Sequence, residues 1–212
     1  MPISKTSQNK FSKLTLQDLV DTFLLKRSLS MQKHFGKSLV SEIQKQQVPT
    51  LTNKFRDRID YLNESELTVK YISKILDMVE LESDLYSTFS ERNMSAIIQG
   101  YSLGGTVDMV VASGFYEPKL PYFFIQEFKK AKNQSGDPLA QLLGEMLVAQ
   151  KLNDQNIIFG LYIIGRFWTF VVLNNLNFTE LEPLNSTDNQ DLIEILSHLN
   201  WIKQYIENKL KN

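Results

Sequence analysis

The run YFFIQEFKK, residues 122–130, constrains this chain more than any other feature. Its aromatic and aliphatic side chains fall on both alternating faces. A strand made from it must therefore be covered above and below. That demands a sheet with a helical layer on each side, an α/β architecture. The chain has 212 residues, enough for one such domain with peripheral additions.

The surrounding pattern supplies the layers. Residues 1–60 read as a polar N-terminal helical extension. LTLQDLVDTFLL opens on Thr15 with Asp18 three residues later, a capping-box pattern. A second helical stretch, around KHFGKSLVSEIQKQQVPTLTNKFRDRIDYL, is expected to break near Pro49. Asn63 with Glu66 marks the next helix start, and Leu67, Tyr71, Ile75 and Val79 then recur at helical spacing. RNMSAIIQGYSL and TVDMVVAS read as two strands joined by a turn at Gly104-Gly105, and YFFIQEFKK as the third. Asp137 and Pro138 suit the cap and first position of a helix over LAQLLGEMLVAQKLN. IIFGLYII and FWTFVVL form two more strands across Gly165-Arg166, and a charged, leucine-bearing helix closes the chain. The expected units are 1–60, a core over 61–175, and a C-terminal helical segment over 176–212 that packs on the core.

Composition narrows the chemistry. There are no cysteines, so thiolate metal sites and disulfides are excluded. His34 and His198 are the only histidines, and they read as structural or exposed. Any metal would be held mainly by carboxylates. No run approaches the roughly 18 apolar residues of a membrane helix, and the N-terminus lacks a signal-peptide core. A cytoplasmic protein with no membrane partner is the expectation. The formal net charge of −1 lends no support to a nucleic-acid partner.

Three charged residues interrupt the apolar strands. Asp108 lies inside TVDMVV, and Glu127 and Lys129 end YFFIQEFKK. Glu127 and Lys129 share a strand face by alternation. Burying charge is costly, so an acid and an amine emerging together from a buried strand need a reason. Mutual pairing is one, and a metal with its water is another. A loop and a returning strand fit between Asp108 and Glu127, so the two carboxylates can meet across neighbouring strands. Two carboxylates with room for waters suit Mg²⁺ or Mn²⁺. Lys129 would orient or help deprotonate a water, or stabilise developing negative charge.

GTVDMVV followed by FFIQEFKK resembles the D…ExK signature of the PD-(D/E)XK, or restriction-endonuclease-like, nucleases. The likeness is strongest over residues 63–173. It implies an αβββαβ core with a central mixed sheet flanked by helices. It further implies that Asp108 and Glu127 bind metal, that the backbone carbonyl of Phe128 adds a ligand, and that Lys129 assists the water. Family members often carry a glutamine on the following helix, where Gln141 stands, and a glutamate on the first helix. Glu66 and its competitor Glu64 are the candidates for that glutamate. Val107 departs from the proline of the family's name.

Several residues have plainer readings. An ExK triplet alone is an ordinary cross-strand pair. Gln141 reads first as a simple helix residue, and Glu66 equally as a helix cap. Glu145 reads as a solvated helix position, Lys130 and Lys132 as solvated surface, and Trp168 and Phe170 as packing on a strand face. The expected function is hydrolysis of DNA phosphodiesters in restriction, defence or repair, with a homodimer as a possible working form. The alternative is a catalytically silent nuclease-fold module for DNA binding or complex assembly.

Overall fold

The computed structural model describes residues 3–5, 7–28, 35–129 and 136–211. In chain order the helices are α1 (Leu16–Phe23), α2 (Glu42–Phe55), α3 (Glu64–Leu67), α4 (Ser73–Asp77), α5 (Pro138–Asn153) and α6 (Asn189–Lys211). A π-turn, Thr68–Ile72, joins α3 to α4. The strands are β1 (Asn9–Lys10), β2 (Lys26–Arg27), β3 (Tyr86–Ile98), β4 (Tyr101–Ser113), β5 (Lys119–Lys129), β6 (Ile157–Ile164), β7 (Phe167–Asn174), β8 (Asn177–Glu180) and β9 (Leu184–Asn185).

Among the described residues the nine strands belong to one mixed sheet. β3, β4 and β5 form an antiparallel meander, and β5 then pairs in parallel with β6. A parallel neighbour cannot be reached by a tight turn, so the chain crosses over through α5. β6, β7 and β8 continue antiparallel. Both faces are covered, as the composition of β5 requires. Ile125, Val171 and Leu173 pack with α1 and α5 on one face. Phe124, Phe128, Trp168 and Phe170 pack with α2, α4 and α6 on the other.

The first residues do more than extend the molecule. β1 pairs with Leu103 and Gly104 of β4, while β2 pairs with β8 far across the sheet. Between them α1 lies against α5. Beside Gly144, Leu14 comes so close that an added Cβ would sit 2.4 Å from its Cδ1. On the sheet side a Cβ at Gly160 would lie 2.8 Å from Met146 Sδ. α5 is thus enclosed between the sheet and the N-terminal segment, and every residue from Ala140 to Ala149 is buried. A helix covered all round needs no amphipathic stripe.

Local signals explain most element ends. Thr15 and Asp18 form the expected capping box, as do Asn63 and Glu66. Asp137 accepts from Ala140 N–H at 3.1 Å and from Leu16 N–H at 3.3 Å, so one carboxylate serves the starts of α5 and α1. Two expectations are corrected. The β3–β4 turn is at Gln99-Gly100, whose φ values are +51° and +84°, and Gly104-Gly105 lies within β4. A type I′ hairpin loop of two residues needs positive φ at both, which Gln99-Gly100 supplies. Gly104 is instead required by close approach, since a Cβ there would meet Ser95 Cβ at 2.7 Å. Second, α2 runs unbroken through Pro49. Val48, Leu51, Thr52 and Phe55 are all buried there, and their burial outweighs the lost backbone bond.

Among the described residues no helix is long and apolar enough to cross a membrane. Trp168 and Phe170 pack on a strand face, as their alternation suggests. His198 is buried, with Nδ1 2.9 Å from the carbonyl of Gly36, and burial lowers its pKa. His34, Lys130 and Lys132 lie outside the described residues.

Candidate active site

The site forms where β4 forks. β3 pairs along one side of β4 from Tyr101 to Ser113 except at Asp108, so β1 and β5 must share the other side. β1 takes Leu103 and Gly104, and β5 begins at Met109 opposite Gln126. Between them β4 has no strand partner on that side, and Asp108 sits in the gap. Its Oδ2 accepts the backbone N–H of Phe128 at 2.8 Å. A strand residue directs its N–H and C=O to the same side. The Phe128 carbonyl therefore leaves β5 toward Asp108.

Glu127 is fully buried at the end of β5. Its Oε1 lies 2.7 Å from Lys129 Nζ, and its Oε2 accepts from Gln141 Nε2 at 2.8 Å. Alternation along β5 puts Glu127 and Lys129 on one face, the face that α5 covers. Gln141 is on the first turn of α5 and points down onto Glu127. Asp108, Glu127, Lys129 and Gln141, each singled out from the sequence, are thus brought together.

The charges act on one another strongly. Burial pushes the Glu127 carboxyl up to about 8, reinforced by the negative charge of Asp108 and opposed by Lys129. Burial pulls the Lys129 ammonium down, but Glu127, Asp108 and Glu64 outweigh it, and the net shift is upward. Three acidic side chains thus act on one amine.

The two first-helix candidates separate clearly. Glu66 closes the cap with Asn63 and lies 2.5 Å from Lys70 in an exposed ion pair. Glu64 instead lines a groove of about 450 Å³ together with Thr68, Ser90, Glu91, Asp108 and Phe128. Glu91, not anticipated from the sequence, lies where the β3–β4 pairing is interrupted between Ser90–Met109 and Arg92–Val107, the same break that contains Asp108, and holds a φ of +52°. A non-glycine residue with that backbone inside a strand is uncommon and gathers at functional sites.

Glu145 corrects a sequence reading. It is not solvated. It is fully buried one turn below Gln141, with Oε1 3.4 Å from Gln141 Nε2. Burial first, then the charges of Glu127 and Asp108, raise its pKa well above the ordinary carboxylate value. The available signal was that Glu145 is the sole charge within LAQLLGEMLVA.

A divalent cation fits the donor set of Asp108, Glu127 and the Phe128 carbonyl. All are hard oxygen donors, and Mg²⁺ keeps waters on its remaining positions. Among the described residues no group of three His, Cys, Asp or Glu side chains is placed to hold a metal by itself. The backbone carbonyl and waters must therefore complete any such site.

These raised pKa values set a pH dependence for the metal-free protein. The native state holds protons on Glu127 and Glu145 that the unfolded chain has released, so stability falls as pH rises. Glu127's contribution is full below its unfolded pKa near 4.5 and is lost as pH passes about 8. Thermal melting in chelator is expected to show Tm falling over that interval. Glu127→Gln should flatten part of the slope and leave the part due to Glu145. A Tm that rises across the interval in wild type would contradict the buried-acid geometry.

No family model matches the chain, and no curated protein matches it. Among solved structures the chain is similar to one described as the crystal structure of SSO0001, with 16% identity over 91% of this chain and 88% of that one. The TM-score is 0.25, and so slight a likeness carries no argument about fold or activity.

Proposed function

We propose that this chain is a metal-dependent nuclease of the PD-(D/E)XK type, hydrolysing phosphodiester bonds in DNA. The observation that carries the reading is the convergence of Asp108, Glu127 and Lys129 at the fork of β4, with Gln141 bonded to Glu127 from above. The helix–π-turn–helix unit, β3, β4, β5, α5 and β6 follow one another in the order of the αβββαβ core that the signature implies.

Asp108, Glu127 and the Phe128 carbonyl would hold Mg²⁺ or Mn²⁺, which supplies charge neutralisation and an acidified water. Lys129 sits at the mouth of the site, its side chain partly exposed, and presents a fixed positive charge to a phosphate oxygen. Gln141 holds Glu127 by one N–H and so fixes the direction of its carboxylate. Glu64 faces the same groove from the first helix and takes the role for which Glu66 competed. A cytoplasmic setting and a homodimer that cuts both strands belong to the same proposal.

A second reading, a catalytically silent module, draws on the groove's charge. Beyond Ser90 and Met109 an adjoining groove adds Asp77, Glu80 and Glu82. An acidic wall repels a polyanion unless cations intervene.

Incubation with plasmid, linear duplex, single-stranded DNA and RNA in Mn²⁺ separates the two. Cleavage of DNA is expected, with Asp108→Asn and Lys129→Ala inactive. Glu64→Ala should slow it by about 10-fold or more, as loss of a supporting group does. Glu66→Ala should leave the rate unchanged and cost a few tenths to about 1 kcal/mol of stability. Wild-type cleavage by Lys129→Ala would assign the activity to something else. Metal binding without cleavage of any substrate would favour the silent module.

A further inference from the structure

Glu145 has no place in the chemistry above, yet its position is unusual. It is fully buried, and its Oε2 has no hydrogen-bond partner among the described residues. Its neighbours along α5 are Leu142, Leu143, Met146, Leu147 and Val148, all buried. A leucine there would be the better packing choice, because a buried, half-satisfied carboxyl weakens the fold.

What Glu145 does touch is the amide of Gln141. The Gln141 NH₂ group has two N–H bonds, and carboxylate oxygens stand at 2.8 Å (Glu127 Oε2) and 3.4 Å (Glu145 Oε1). Protonated or ionised, each acid keeps an oxygen that can accept from this NH₂ group, so the amide has two acceptors on that side. One acceptor orients an amide only while it keeps its electron density. Glu127 would share that density with a cation. Glu145, one turn further along α5, supplies a second acceptor for the same amide.

We propose that Glu145 is a positioning residue: it locks the Gln141 amide with its NH₂ group toward Glu127, and through it fixes the Glu127 carboxylate for cation binding. The cation-binding half of this statement rests on the nuclease reading, whereas the locking of the amide does not.

The test uses Glu145→Leu and Glu145→Gln in the full chain, with three readouts. The first is exchange of the Gln141 side-chain amide protons by NMR in chelator. Glu145→Leu should speed it by about 10-fold or more, while Glu145→Gln, which keeps an acceptor, should stay near wild type. The second is metal-free Tm, which should rise in Glu145→Leu, as relief of a buried acid requires. The third is Mn²⁺ affinity by calorimetry, expected to weaken by about 10-fold in Glu145→Leu, the range for supporting groups, and to be largely rescued in Glu145→Gln.

Unchanged amide exchange in a folded Glu145→Leu overturns the positioning role, whatever the metal result. A Tm that falls, with exchange and affinity unchanged, makes Glu145 a packing residue and overturns it as well. Faster exchange in a protein whose wild type binds no Mn²⁺ sustains the amide lock and sinks the nuclease reading alone.

Discussion

Glu127→Gln is expected to reduce metal-dependent cleavage by roughly 10²–10³-fold or more, the scale on which loss of a group acting on transition-state charge is felt. The substitution is nearly isosteric. The Gln141 N–H can still find an oxygen at position 127, so the local packing has no cause to change. What disappears is a negative charge from a fully buried position. A cation held there as proposed would lose a charged ligand, and Lys129 loses the charge of its partner at 2.7 Å. The effect should also appear without substrate. A ligand at about 100 times its Kd adds about 2.7 kcal/mol to the native state, so Mn²⁺ should raise the Tm of wild type clearly and that of the variant hardly at all. The metal-free variant should meanwhile be the more stable of the two at alkaline pH, because it no longer holds a carboxylate away from water. A Glu127→Gln protein with an undiminished Mn²⁺ shift would remove Glu127 from the metal site.

Trp168→Ala should cost about 3–5 kcal/mol of stability, the range for deleting a large buried aromatic. Trp168 is completely buried on β7. It lies in a cross-strand row that runs from Phe128 through Ile163 to Trp168 and Leu184. Removing the indole would open a cavity two strands from the residue whose N–H binds Asp108. Trp168→Phe is the informative companion. The indole N–H has no acceptor among the described residues. The phenylalanine therefore gives up area but no hydrogen bond, and it relieves an unsatisfied donor. Its loss should be well below that of alanine in urea unfolding. Equal losses for the two would mean that the N–H has a partner, such as a buried water.

The particular residues show why some of this was legible in the sequence. YFFIQEFKK can only be a strand covered on both faces, and its charged end marks the site because burial makes charge conspicuous. Asp137-Pro138 announces α5 through backbone chemistry that is local. The capping boxes are local too. Other features depend on distant parts of the chain. Glu145 reads as solvated until α5 is known to lie between the sheet and the N-terminal segment and to be buried on every side. Pro49 reads as a break until the buried face of α2 is counted. Gln99-Gly100 and Gly104-Gly105 offer competing turns, and only the pairing of β3 with β4 decides between them. Glu64 and Glu66 differ by half a helical turn, and the capping box that fixes Glu66 was visible, but the groove that receives Glu64 was not.

The N-terminal segment carries a consequence for how the molecule comes together during translation. β1 needs β4 as its template, and β2 needs β8, which is made from residues 177–180. Residues 9–27 leave the ribosome before the strands they join, and their last docking partner emerges some 150 positions later. Until then β2 has no strand to pair with. The sheet is thus completed by an early-made segment that has to wait for a late one.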